Sequence, residues 1–119
     1  MRLRWIAVVV YAAGIFAASS IPAHSIPKAA LFGFDKVIHF FVYAGLGAVV
    51  AWAWDRIWLA ILVCAVYGAL DEFHQHFTPG RSVEFADFVA DALGATAGVL
   101  LNLLIRRYRR PHGADPQLP

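Results

Sequence analysis

Charged residues are scarce in this sequence, which holds ten lysines and arginines and eight aspartates and glutamates among 119 residues. They make up 15% of the chain, whereas an ordinary soluble domain carries about 25%. Hydrophobic residues make up 61%, and the mean hydropathy is +0.63. This composition argues against a water-soluble fold. Four membrane spans of about 20 residues would use nearly the whole chain and leave little for a soluble catalytic domain.

Cysteine is also scarce: Cys64 is the single one, which excludes an internal disulfide. It lies in the middle of an apolar segment, where a packing role is expected. The formal net charge is +2, but the basic residues cluster at the chain ends, next to apolar segments. Membrane topology explains that placement better than a nucleic-acid partner, so we expect no nucleic-acid binding.

Four apolar stretches predict helices at about residues 4–20, 35–54, 57–77 and 84–105, each near the length that spans about 30 Å of hydrocarbon. The expected fold is all-α: an integral membrane four-helix bundle with an up-down antiparallel arrangement. We expect a single domain at residues 1–110 and a disordered tail at residues 111–119.

The three connections between these stretches differ in kind. Residues 20–34 hold two prolines and a glycine, which suit an exposed loop. Residues 55–56 are enough only for an antiparallel hairpin. Residues 78–81 read Thr-Pro-Gly-Arg, a pattern typical of a turn, after which Ser82 or Glu84 is expected to begin the last helix.

Basic residues near the spans predict the orientation in the membrane. Arg2 and Arg4 precede the first span and four arginines follow Ile105, so the positive-inside rule places both termini in the cytoplasm. Lys36 and Arg81 fall on the opposite side. The first and third connections are then expected outside the cell or in the periplasm. The first 19 residues also fit a cleavable secretory signal, an alternative that stays open here.

Several polar or ionisable side chains fall inside the predicted spans. Asp71, Glu72 and Gln75 lie within the third span, and Asp87 and Asp91 lie within the fourth. A charged side chain at a helix centre costs about 2.5–3.5 kcal/mol on insertion scales, and less near the interface. Some compensating interaction is therefore required.

These side chains form stripes, because residues three and four apart share one face of a helix. The stripes are Lys36, His39, Tyr43 and Gly47 on the second helix; Gly68, Asp71 and Gln75 on the third; and Glu84, Asp87, Asp91, Gly94 and Gly98 on the fourth. Each stripe begins at the predicted outer side and becomes small or apolar inward. Two interpretations are open: the polar groups pair with one another as structural contacts, or they form a ligand site.

Two motifs carry a resemblance to a known family. They are Asp35-Lys36-x-x-His39-Phe40-x-x-Tyr43 and Asp71-Glu72-x-x-Gln75-x-Phe77-x-Pro79-Gly80-Arg81, followed by Asp87, Asp91, Gly94 and Gly98. On these residues the chain resembles the VanZ-like family of small multi-pass membrane proteins, related to the teicoplanin-resistance protein VanZ. The resemblance implies a protein of the bacterial envelope, with the bacterial cytoplasmic (inner) membrane as the expected location, and some relatives are associated with resistance to glycopeptide antibiotics. Asp91 departs from the family, which often carries asparagine there.

Three functions compete for the same polar residues. An enzyme acting on a lipid head group would use His39 as acid or base and Arg81 with Lys36 as a phosphate clamp. A binding protein without turnover would need the same side chains, and a proton-linked transporter subunit would use the carboxylates as relays. The catalytic candidates are His39, Asp71, Glu72, Gln75, Arg81 and Asp87, and the substrate-binding candidates are Asp35, Lys36, Tyr43, Arg81 and Asp91.

Cofactors and partners follow from the same chemistry. Carboxylates and imidazole suit Mg²⁺, Mn²⁺ or Zn²⁺, so a divalent metal held by His39, Asp71, Glu72 and Asp87 is one form of the site, and a metal-free site is the other. No serine or cysteine stands beside a base as a covalent nucleophile would. The expected partners are membrane lipids, a lipid-linked cell-wall precursor or a lipoglycopeptide, and a second copy of the chain in a homo-oligomer.

Overall fold

Four helices make up nearly all of the structure, a computed structural model that describes residues 2–28, 34–81 and 83–109. They are α1 (Arg2–Ser19), α2 (Asp35–Ala53), α3 (Ile57–Gln75) and α4 (Phe85–Arg109), with one turn of 3₁₀ helix, Ala23–Ser25, after α1. No strand occurs within those ranges. Each of the four helices is long and apolar enough to cross a membrane, which confirms the predicted all-α membrane fold. Ser82 and the expected tail at 111–119 lie outside the described residues.

Two side-chain contacts show the relative direction of helices α1 and α3. Tyr67 of α3 donates a 2.5 Å hydrogen bond to the carbonyl of Ala12, and Ser19 at the end of α1 donates to the carboxylate of Asp71. The second contact lies further along the sequence than the first in both helices, so α1 and α3 are parallel. Since consecutive helices reverse direction, the bundle has the expected up-down order.

The α2–α4 pair, also parallel, forms the most extensive helix interface of the bundle. Small residues make this possible. A Cβ atom added to Gly98 would fall against the carbonyl group of Ala44, and one added to Gly94 would fall against the carbonyl group of Phe40. The two backbones therefore touch directly, which is the packing that Gly-x-x-x-Gly spacing allows between membrane helices. The inner part of the predicted fourth-helix stripe thus serves helix packing.

The apolar core is small and the outer surface is strongly apolar. The buried hydrophobic residues are Ile15, Tyr43, Leu46, Val50, Ala51, Ala60, Cys64, Ala95 and Val99. Cys64 has the packing position expected from the sequence. Large side chains such as Leu62, Phe73 and Leu101 point outward. A surface of this kind is unfavourable in water and suits contact with lipid chains.

The ends of the helices on the side of the chain termini carry basic and aromatic side chains. The guanidinium of Arg4 lies 5.0 Å from the ring centre of Trp52, and Trp58 is largely exposed. Arg106 donates to the carbonyl of Ala51 and to the carboxylate of Asp55, so it satisfies the end of α2. Helix α4 ends at Arg109, whereas we expected it to end at residue 105. Arg106, which caps α2, lies in this additional turn.

At the opposite side, the third connection folds back onto the first. Gly80 has a φ of 74°, the left-handed conformation that glycine adopts without strain. The backbone N–H of Ala23 donates to the carbonyl of Pro79 at 3.1 Å, and the hydroxyl of Thr78 donates to the carbonyl of Ser19 at 3.1 Å. These contacts hold the two connections together and fix the position of the next residue, Arg81.

Candidate functional site

Polar side chains are buried at one end of the bundle, where α1 and α3 end and α2 and α4 begin. We call this the polar end, and the side with the chain termini the basic end. All seven buried polar or charged side chains among the described residues lie at the polar end: Ser19, Asp71, Glu72, Gln75, Thr78, Asp87 and Asp91. The three stripes expected from the sequence therefore converge.

Asp71 is held by two hydroxyl groups from two other helices. Ser19 of α1 donates to its Oδ1, and Tyr43 of α2 donates to its Oδ2 at 3.1 Å. Both carboxylate oxygens thus have a partner, and the side chain is buried. The structure places Asp71 as a residue that joins α1, α2 and α3, which leaves it less available for the catalytic role considered from the sequence.

Replacing Ser19 by alanine is expected to lower the free energy of unfolding by about 1–3 kcal/mol, because one oxygen of a buried carboxylate loses its donor. The neighbouring change Ser20→Ala is the matched control. Ser20 is exposed: its hydroxyl donates to the carbonyl of Phe16 in its own helix and lies 2.9 Å from Nε2 of His74, and neither contact involves a buried charge. Denaturation of both variants in mixed micelles measures the difference. Equal stabilities for the two variants would contradict the role assigned to Ser19.

His39 lies beside two buried carboxylates. Its Nδ1 is 2.7 Å from Oδ1 of Asp91 and 3.9 Å from Oε1 of Glu72. Asp91 is completely buried, and its Oδ2 has no hydrogen-bond partner among the described residues. Both carboxylate oxygens of Glu72 are likewise without a partner there. The imidazole is therefore oriented by Asp91, while Glu72 remains an unsatisfied acceptor next to it.

Lys36 of α2 forms ion pairs with carboxylates of its own helix and of the α4 side of the site. Its ammonium group lies 3.1 Å from Asp35, 2.6 Å from Glu84 and 3.3 Å from Asp87. Three carboxylates around one cation leave Lys36 with little remaining charge to offer a ligand. The geometry thus separates Lys36 from the phosphate clamp that the sequence suggested for it and Arg81 together.

Arg81 differs from Lys36 in its surroundings. Within the described ranges no carboxylate lies at salt-bridge distance from its guanidinium. Its one hydrogen bond there is a long one, 3.4 Å, from Nη1 to the carbonyl of Ile21. Arg81 therefore forms no ion pair with the described residues, and most of its N–H groups can serve an anionic ligand.

A cleft of about 330 Å³ brings these groups to one surface. Its lining residues are Ala18, Ile21, Ser25, Ile26, Pro27, Asp35, Ile38, His39, Gln75, Arg81 and Asp87. A smaller recess of about 100 Å³ shares His39, Gln75 and Arg81 with the cleft and reaches inward to Tyr43 and Asp71. One wall of the cleft is thus apolar and the other carries charge.

The structure brings all the sequence-predicted residues to the polar end, but in different positions. Asp35, His39, Gln75, Arg81 and Asp87 line the cleft, and Tyr43 and Asp71 line the inner recess. Glu72 and Asp91 lie beside His39, and Lys36 contacts Asp87. Sequence reasoning missed the apolar wall from the end of α1 and the first connection. The two prolines of that connection were the available signal, since they predict a defined chain path.

Fold and site together define a multi-pass membrane protein with a polar cleft at one end of a four-helix bundle. The chain belongs to the VanZ/LLP1 family, whose model matches residues 2–106, and this confirms the resemblance seen in its motifs. An uncharacterized protein of Schizosaccharomyces pombe is 42% identical over 81 residues, which covers 63% of this chain. The chain spans about half of that yeast relative, 50% of its length. No solved structure matches.

Proposed function

We propose that this protein binds the phosphate-bearing head group of a membrane lipid in the cleft at its polar end. The observation that carries the proposal is Arg81, a guanidinium without a carboxylate partner among the described residues, on the wall of a half-apolar cleft. Arginine matches phosphate because its planar group offers several donors in a fixed geometry.

The position of Arg81 supports this assignment. The residue follows the Pro79-Gly80 turn, which is tied to the first connection by the Ala23 to Pro79 hydrogen bond. These contacts fix its backbone next to the cleft and the inner recess that reaches Tyr43 and Asp71, both of which Arg81 lines. A turn that tertiary contacts already hold in place loses little backbone freedom when a ligand arrives, so more of the interaction energy is available for binding.

The apolar wall supports a lipid rather than a free anion. Ile21, Ile26 and Pro27 from the first connection face the same cleft as Arg81. A phosphate lipid presents a charged group next to glycerol and acyl carbons, and a cleft with one apolar wall can contact both parts. An envelope lipid and a lipid-linked cell-wall precursor both have this chemistry. Binding such a precursor, or a lipoglycopeptide, would connect the protein to glycopeptide resistance.

The proposal places the polar end at the outer leaflet of a bacterial inner membrane. The support is the distribution of basic residues: six arginines of the basic end, at positions 2, 4, 56, 106, 107 and 109, would then face the cytoplasm. A reporter enzyme fused after Arg110 tests this orientation. Activity of a reporter that works only in the cytoplasm agrees with it, and activity of a reporter that works only outside would reverse it.

Replacing Arg81 by glutamine is expected to weaken binding of phosphatidic acid by roughly 10-fold to 100-fold. The reason is the loss of charge-assisted hydrogen bonds worth about 1.5–3 kcal/mol. Native mass spectrometry of the protein in dodecyl maltoside, titrated with lipid, gives the dissociation constant. The wild type should also prefer phosphatidic acid over diacylglycerol with the same acyl chains, since only the first carries phosphate.

The matched control for this experiment is Arg107→Gln at the basic end. Arg107 is the same residue type, but it lies next to a different cavity that is remote from the polar end. We expect its replacement to leave the phosphatidic acid affinity within about twofold. Equal affinity of the wild type for the two lipids, or equal loss in the two arginine variants, would reject the proposed head-group site.

A second candidate function is hydrolysis of the bound head group, and the His39–Asp91 pair favours it. Asp91 at 2.7 Å orients the imidazole, which lines the cleft and is placed to transfer a proton to or from a ligand and water. Incubation with phosphate lipids and analysis of the products tests turnover. Catalysis requires a product that disappears in both His39→Ala and Glu72→Gln while both variants remain folded. Lipid binding without any product would exclude it.

A further inference from the structure

We propose that His39, Glu72 and Asp87 bind a divalent metal ion. The three side chains come from α2, α3 and α4 and meet at the polar end, beside the cleft. The inference goes beyond the head-group proposal, because metal binding is measurable in the absence of any lipid phosphate. The sequence suggested four metal ligands, His39, Asp71, Glu72 and Asp87. The proposed site uses three of them and leaves out Asp71.

The ligand atoms are close enough for one ion. One nitrogen of His39 and one carboxylate oxygen each of Glu72 and Asp87 all lie within 4.8 Å of one another. Ligands of an ion with bonds of about 2.1 Å stand about 3 Å apart when they are adjacent and about 4.2 Å apart when they are opposite. Side-chain movements of up to about 1 Å therefore suffice to close the site.

Glu72 provides the observation that points to a ligand. Its side chain is only 7% exposed, and neither carboxylate oxygen has a hydrogen-bond partner among the described residues. A buried carboxylate without a partner is costly, and proteins that retain one pair it or coordinate a metal with it. Asp87 contacts Lys36 through Oδ1 alone, which leaves Oδ2 outside that ion pair.

His39 has a carboxylate partner of the kind that metal-binding histidines commonly have. A histidine that binds a metal through one ring nitrogen usually donates the other N–H to a carboxylate or a carbonyl, which fixes the ring. Asp91 supplies such a carboxylate, 2.7 Å from Nδ1 and completely buried. The Asp91–His39 contact thus has the role of an outer hydrogen bond that holds a metal ligand in place.

The other acidic side chains nearby do not form a comparable site. Asp35, Glu84 and Asp87 also approach one another, but the ammonium of Lys36 contacts all three and already supplies a cationic partner there. Asp71 has both oxygens bonded to the hydroxyl groups of Ser19 and Tyr43. Asp91 lacks a partner at one oxygen only, so Glu72 is the buried carboxylate among the described residues with both oxygens left for a cation to satisfy.

The ligand types favour a metal between the hard and borderline classes. Two carboxylates favour Mg²⁺ or Mn²⁺, whereas an imidazole favours first-row metals such as Zn²⁺. Mn²⁺ accepts both kinds of ligand and gives a magnetic resonance signal, so it is the appropriate probe. Zn²⁺ is expected to displace it from the same site, since it binds more tightly in the general order of divalent metals.

The experiment titrates the full chain in dodecyl maltoside, which contains no phosphate, with Mn²⁺ and records electron paramagnetic resonance. We expect one Mn²⁺ per chain, with affinity reduced at least about 100-fold in Glu72→Gln, because even outer partners of metal ligands contribute about 10-fold to 100-fold. Glu84→Gln is the matched control, since Glu84 is exposed, already pairs with Lys36 at 2.6 Å and is not one of the three proposed ligands. Its affinity should stay within about threefold of the wild type.

A second measurement uses the wild type alone, so it does not depend on the folding of a variant. Electron spin-echo modulation of bound Mn²⁺ should show coupling to one ¹⁴N nucleus from His39. Saturable binding with that coupling supports the site. Three results would overturn it: no stoichiometric Mn²⁺ binding, binding without the nitrogen coupling, or binding that is lost in Glu84→Gln and kept in Glu72→Gln. Circular dichroism verifies that both variants keep their helices.

Discussion

Replacing Gly98 by leucine should lower the free energy of unfolding by about 3 kcal/mol or more, the upper part of the range for overpacked interiors. A Cβ atom at this position would fall against the carbonyl group of Ala44 and close to the N–H of Ala48. Both are backbone atoms, so no side-chain rotation can relieve the contact. Helices α2 and α4 must then separate along their whole interface, which includes the point where His39 meets Asp91.

Denaturation in mixed micelles, followed by circular dichroism, measures this effect. Gly14→Leu in α1 is the matched control, because a Cβ added to Gly14 has no neighbouring atom within 4 Å. We expect that variant to remain within about 1 kcal/mol of the wild type, as most substitutions away from packed contacts do. Equal destabilisation by the two leucines would mean that α2 and α4 are not in backbone contact.

Replacing His39 by alanine should destabilise the protein by about 3–5 kcal/mol, the range observed when one partner of a buried ionic pair is removed. Asp91 is fully buried and has no other hydrogen-bond partner among the described residues. The alanine variant therefore leaves a buried carboxyl group with neither a cation nor a donor. The same change removes one ligand of the proposed metal site.

A double-mutant cycle separates the loss of the pair from other effects of the alanine. Asp91→Asn alone should cost about 1 kcal/mol, because its amide oxygen can still accept a hydrogen bond from the imidazole. In the His39→Ala background the same asparagine should recover about 2 kcal/mol, since the unpaired charge is gone. Additive effects of the two substitutions would show that His39 and Asp91 are not energetically coupled.

The membrane fold was predictable because hydropathy and length decide it. Each apolar stretch has the length of one span, and in lipid such a segment satisfies its own backbone hydrogen bonds as an α-helix. The convergence of the polar stripes was predictable from helical spacing alone. Gly94 and Gly98 share a face of the fourth helix with Asp91. The residue types therefore already indicated that one half of this face serves helix packing and the other half is polar.

The pairing of the charges was not predictable, because it depends on how the helices rotate and on where the connections lie. Lys36 and Arg81 are equivalent by charge and by predicted side of the membrane, yet Lys36 contacts three carboxylates and Arg81 contacts none among the described residues. Asp71 and Glu72 are adjacent in sequence, but a helix turns by about 100° per residue. Asp71 therefore meets Ser19 and Tyr43, while Glu72 faces His39.

The apolar wall of the cleft was hidden for a related reason. Irregular segments carry no periodic signal, so the path of the first connection could not be derived from spacing. Its position follows from the hydrogen bond between Ala23 and Pro79 and from the contact of Gly80 with Ala23. These contacts join two segments about 55 residues apart, and they complete the site that the helices only begin.

The most direct test of the head-group site is a distance between the lipid phosphorus and the guanidinium nitrogens of Arg81. Solid-state magnetic resonance on ¹⁵N-arginine protein with bound phosphatidic acid measures ³¹P–¹⁵N dipolar coupling. A direct arginine–phosphate contact corresponds to an N–P separation of about 4 Å. We predict this coupling in the wild type and its loss in Arg81→Gln. Coupling that persists unchanged in Arg81→Gln, and so arises from arginines of the basic end, would contradict a head-group site at the polar end.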